Sequence, residues 1–147
     1  MKRSKRLKPV VHIAIKKTEE ALSKVGQANT TWLNNKQQLN DLYGYKEEYL
    51  AKFRRGDELV MSAQKVLELR AFLAQLDQAI NVQQQQVSQS HKQLEHCRKE
   101  WLQARTKEQS MQSLVTRYQN EETAEAEKQE QRDNDERNTS QWRHRHH

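Results

Sequence analysis

An all-α fold, a long antiparallel two-helix coiled-coil hairpin, is predicted by three observations. The 147-residue chain holds only 3 Gly and 1 Pro, too few turn-formers for the many connections of a sandwich or a doubly wound sheet. It is 33% hydrophobic against 31% charged, with a mean hydropathy of −1.23, so it cannot fill a compact multilayered core. Two long stretches place apolar residues at strictly alternating steps of three and four, the spacing of a helix that faces one partner along its length.

Residues 1–8 read as a basic N-terminal arm. Pro9 suits a first helical turn, where its missing N–H goes unused, so helix 1 is expected over 9–53. Its 3,4 series runs from Val11 to Phe53 over thirteen positions, ten of them apolar; Thr18, Asn35 and Lys46 are the exceptions. A connector over 54–61 follows. There Arg54 and Arg55 complement the carbonyl end of helix 1, and Gly56 can take the positive φ of a helix C-terminus.

Ser62 is a plausible N-cap for helix 2, expected over 62–130. The second series runs from Val66 to Tyr118 over sixteen positions, thirteen of them apolar, with Gln83, Ser90 and Glu108 the exceptions. A seven-residue repeat sustained this long imposes a left-handed supercoil, and the short connector makes the pairing antiparallel and intramolecular. Pairing residues whose numbers sum to about 115 or about 122 satisfies both series, and the pattern alone leaves the two registers open.

At ~1.5 Å per residue helix 1 is about 70 Å long and helix 2 about 100 Å, so helix 2 overhangs its partner. The overhang is acidic, with Glu121, Glu122, Glu125, Glu127, Glu130, Asp133, Asp135 and Glu136 against Lys128 and Arg132. With no apolar stripe after Tyr118 it reads as a solvated helix or a segment ordered only by a partner. Residues 131–147 are expected to be a disordered tail. Their His- and Arg-rich end reads as a basic tail, not a metal site, because no carboxylate or cysteine fixes a coordination geometry.

The longest apolar run, Val10 to Ile15, is interrupted by His12 and falls far short of the roughly 20 residues of a membrane span. No membrane insertion and no signal peptide are expected. The lone Cys97 cannot form an internal disulfide, which fits a reducing, cytoplasmic setting. No nucleotide-binding glycine loop, nucleophile elbow or His-Glu-x-x-His arrangement occurs, so no catalytic site, metal or cofactor is expected. Trp32, Cys97 and Trp101 fall on the seam and read as packing residues. The Gln83–Gln86 run reads as helix surface, and Asn35 with Gln83 either fixes the register or weakens the middle of the pairing.

Two surface features remain. Lys2, Arg3, Lys5, Arg6, Lys8, Lys16 and Lys17 put seven positive charges and no acid in the first 17 residues. That end is either a solvated, frayed terminus or a surface for phosphates, anionic lipid or an acidic protein rim. With Val11 and Val66 as heptad position a, the g positions include Gln38, Tyr45, Phe72 and Ala79, which share one edge of an antiparallel pair. With the neighbouring d positions Leu42, Tyr49, Leu76 and Gln83 they form an aromatic and aliphatic strip. It is either a docking surface or a wider core stripe over a thin two-helix pack.

Tyr45-Lys46-Glu47-Glu48-Tyr49 before the connector and Phe72-Leu73-Ala74-Gln75-Leu76-Asp77-Gln78-Ala79-Ile80 after it resemble the FliJ family of flagellar type III export proteins. The length, basic start, two-helix layout and Trp101 resemble it too, over about residues 7–120. The resemblance implies a soluble export component similar to the central stalk (gamma) subunit of rotary ATPases. Such a stalk enters the hexameric export ATPase FliI, promotes its ring assembly, binds the cytoplasmic domain of the export gate protein FlhA and escorts unloaded export chaperones. It has no catalytic site of its own, and it is held at the inner membrane face of the flagellar base through these partners. The family's gate-binding surface carries over to Gln38, Leu42, Tyr45, Tyr49, Phe72, Leu76, Ala79 and Gln83. The ATPase-facing end is implied to include Lys2, Arg3, Lys5, Arg6 and Lys8, together with helix 2 beyond Trp101. On residues alone, two rivals stand beside this reading. A nucleic-acid-binding coiled coil fits the pI of about 9.5 and predicts duplex affinity that falls steeply with salt. A generic scaffold predicts a stable parallel dimer.

Overall fold

Good helix formers such as Gln, Glu, Lys, Arg and Ala fill both halves of the sequence, and no Gly or Pro occurs between 63 and 145. The computed structural model describes residues 1–56 and 62–145. They form two helices that pack as an antiparallel hairpin, α1 (Arg3–Gly56) and α2 (Ala63–Arg145), with no strand among the described residues. No described helix is long and apolar enough to cross a membrane.

Both helices run further than their expected limits. α1 begins at Arg3, not at Pro9, so residues 3–8 belong to the helix and Pro9 lies inside it. Proline there forfeits one hydrogen bond to the carbonyl four residues back. The turn before it is held by other bonds: the Arg6 N–H donates to the Lys2 carbonyl at 3.2 Å, and Ser4 is tied to α2. At the other end, the segment expected to be disordered is helical through Arg145. Its composition favours helix, and Arg143, His144 and Arg145 in the last turn complement the carbonyl end. α1 closes at Gly56. The conformation beyond it, on which the expected left-handed cap depends, lies outside the described residues. Ser62 caps α2 as expected, its Oγ accepting from the Lys65 N–H at 3.3 Å.

The chain divides into two compact units, Glu20–Trp101 and Met1–Glu19 with Leu102–His147. In the first, Tyr49 meets Phe72, Lys46 meets Asp77 and Trp32 meets His91, so paired numbers sum to 121–123. This selects the register near 122 over the one near 115. In the second, Arg3 meets Tyr118, a sum of 121, and Ser4 meets Glu122 one turn further along α2.

All thirteen seam positions of α1 and all sixteen of α2 are buried or half-buried. The six polar exceptions are each satisfied. Thr18 Oγ donates to the Ala14 carbonyl at 3.0 Å, Ser90 Oγ to the Gln86 carbonyl at 2.8 Å, and Gln83 Nε2 to the Asn35 backbone carbonyl at 3.0 Å and to Asn35 Oδ1 at 3.5 Å. Lys46 pairs with Asp77 at 2.7 Å, and Glu108 accepts from Gln112 at 3.4 Å. None of these six side chains therefore strands a polar atom away from water. Among the described residues, the buried apolar ones are Leu76, Ile80, Leu94 and Cys97, all on α2 within Glu20–Trp101. In this register Leu94 lies level with the small Ala28, and it is fully buried.

Candidate partner-docking site

In an antiparallel pair the g positions of both helices line one edge of the seam and the e positions line the other. On the g edge, Tyr49 and Phe72 stack with ring centroids 4.3 Å apart and planes inclined by 34°. Lys52 Nζ lies 5.3 Å from the Tyr49 ring, and Phe72 keeps 37% of its surface exposed. About three turns along, Gln83 Nε2 donates to Gln38 Oε1 at 3.2 Å as well as to the Asn35 carbonyl.

Of the eight residues predicted for the strip, the structure thus joins Tyr49 to Phe72 and Gln38 to Gln83. Tyr45 is 53% exposed on the same edge, Ala79 is exposed and Leu42 is half-buried. Leu76 differs from a surface residue: at 7% exposure it is a seam packing residue that supports the strip from beneath. The strip is therefore both a core edge and an accessible surface. On the opposite side of the seam Lys46, at position a, bridges to Asp77, at position e, and the Asp77 carboxylate, hydrogen-bonded to the Lys46 ammonium, holds that ammonium above its ordinary pKa.

The five cations predicted for the other end occupy Lys2 and the first two turns of α1. Cations at a helix N-terminus oppose the helix dipole, and α1 has no acid in its first turn. Glu122 of α2 supplies the missing anion. Its Oε1 accepts from the Ser4 N–H at 3.1 Å, and its Oε2 accepts from the Ser4 hydroxyl at 2.7 Å. These bonds, helped by Lys2 and Lys5, hold the carboxyl below its ordinary pKa. Arg3 lies over the Tyr118 ring, 5.6 Å from its centroid, and Arg6 Nε donates to the Met1 carbonyl at 3.1 Å. Extending the 3,4 steps backward from Val11 reaches Leu7 and Ser4, and one step forward from Tyr118 reaches Glu122. That extension is the sequence signal for this contact, and the loss of apolar character hides it.

Among the described residues, no three His, Cys, Asp or Glu side chains come together to hold a metal. The e edge carries a groove that the sequence does not announce, lined by Trp32, Lys36 and His91 among others. A family model described as Flagellar FliJ protein matches the chain over residues 3–147. No curated protein and no solved structure matches it.

Proposed function

We propose, from the premise that the chain belongs to the flagellar FliJ family, that it serves flagellar protein export as a helical stalk without catalytic chemistry of its own. In this reading the end of the hairpin bearing Lys2, Arg3, Lys5, Arg6 and Lys8 engages the hexameric export ATPase and favours ring assembly. The g-edge strip docks on the cytoplasmic domain of the export gate, and export chaperones are escorted between them. Association with the inner membrane face runs through these partners. A stalk that contacts ring subunits unequally can bias their states by differential binding alone.

The observation that carries the reading is the half-exposed Tyr49–Phe72 tier, its two rings 4.3 Å apart across the seam, with the exposed Tyr45 on the same edge. Aromatic groups of this kind anchor interfaces, and truncating them costs about 2 kcal/mol or more, roughly thirtyfold in affinity. The test pairs Tyr45→Ala with Phe72→Ala and measures affinity for the purified gate domain by calorimetry, with circular dichroism as the folding control. A helical double variant of unchanged affinity refutes the strip. Steady-state ATPase rates and electron microscopy of the export ATPase, with and without the chain, test the other end. Stimulation with more closed hexamers is expected. An inert but helical chain sinks the stalk reading and leaves duplex binding or scaffolding as the better account.

A further inference from the structure

The e edge of the Glu20–Trp101 unit is built differently from the g edge. A groove of about 450 Å³ runs along it between α1 and α2. Trp32 and Leu39 from α1 and Val87 from α2 form its apolar floor, and Lys36, His91 and Lys92 stand on its rims. Lys36 Nζ sits 4.4 Å from the Trp32 ring centroid, and the His91 ring is tilted against the same indole at 5.3 Å. No carboxylate lines the groove. Glu95, 3.9 Å from His91, stays outside it. One turn beyond Leu39, Tyr43 accepts a 2.6 Å hydrogen bond from Gln84 Nε2, which ties the two walls together.

The spacing of these residues decides what fits. On α1 the edge residues Trp32, Lys36, Leu39 and Tyr43 recur at steps of four, three and four; on α2 Gln84, Val87 and His91 recur at three and four. Two helices that present such steps on one edge offer a second seam, which a third helix can enter with its own residues at i, i+3, i+4 and i+7. The apolar floor asks for aliphatic anchors, and the cationic rims ask for flanking carboxylates. A nucleic-acid backbone would be met by an unbroken row of cations, whereas this groove alternates its lysines with Trp, Leu and Val.

We propose that the e edge is a docking groove for an acidic amphipathic helix of a partner protein, separate from the g-edge strip and independent of the export reading. Both edges can then be occupied at once.

The test uses the full chain and a labelled synthetic helical peptide with Leu on one face and Glu flanking it, followed by fluorescence anisotropy. A Lys-for-Glu version serves as the charge control. Saturable binding of the acidic peptide alone is expected, weakening as salt rises. Lys36→Glu with Lys92→Glu reverses two exposed charges without touching the seam and is expected to weaken binding more than about tenfold. Tyr45→Ala with Phe72→Ala, on the other edge, is expected to leave it unchanged. Absence of saturable binding overturns the proposal. So does an unaltered affinity in the helical lysine variant, or competition by duplex DNA that proves the tighter ligand. Equal losses in both variants would place the peptide outside this groove and overturn it as well.

Discussion

Single residues divide sharply by what they touch. Leu94 is fully buried, so Leu94→Ala removes packed atoms and opens a cavity, at an expected cost of about 2–5 kcal/mol in urea unfolding. Leu102, 58% exposed, gives the control: Leu102→Ala is expected to stay within about 0.5 kcal/mol. Similar costs for the two would contradict the packing. Glu122 is a titratable residue at a helix terminus. Its folded pKa lies below the ordinary 4.5, so its contribution is complete above 4.5 and is lost as pH falls through the depressed value. Acid is therefore expected to release the first turn of α1, seen as a titrating Ser4 amide resonance in NMR. Glu122→Gln should abolish that titration, and its persistence in the variant would dismiss the clamp.

At the scale of the element, the two helices show why a pattern of residues is more legible than its ends. Every position of the two 3,4 series, Val11 to Phe53 and Val66 to Tyr118, lies in the seam because the 3,4 step is a property of consecutive residues. The ends depend on balances the pattern does not contain. Pro9 marks a helix start only when nothing holds the turn before it, and here Ser4 does. The last residues of α2 need no buried stripe, because helix formers and a basic final turn support them. Continuity is the property most easily broken. Leu76→Pro removes a helical N–H and clashes with the preceding turn, costing about 3 kcal/mol or more. The expected result is a clear loss of ellipticity at 222 nm and of gate binding; full helicity in this variant would contradict the packing of α2.

Across the whole molecule, apolar burial is unevenly shared. Leu76, Ile80, Leu94 and Cys97 belong to Glu20–Trp101, while the only buried residue of the other unit is Ser4, among those described. Local opening follows buried contact density. Amide exchange is therefore expected to be slowest around Ile80 to Cys97 and faster by orders of magnitude in Met1–Glu19 and beyond Leu102. A uniform protection profile would show that the units open together. The charge distribution points the same way: the basic first turns meet the acidic 121–136 segment at Glu122 in the unit with the thinner core, where a partner can most readily compete with internal contacts.

The sequence by itself determined the all-α class, the seam residues, the Ser62 cap and the g edge with its chemistry, because each depends on neighbours within a few turns. Only the tertiary structure decided the register near 122 over 115, the Ser4–Glu122 clamp, the Lys46–Asp77 bridge and the Trp32–His91 groove. Each of these joins residues 23 to 118 positions apart. A heptad pattern is unchanged when one helix slides a full repeat along the other. The choice of which side chains finally meet belongs to the fit of large against small residues and to the pairing of polar groups across the seam.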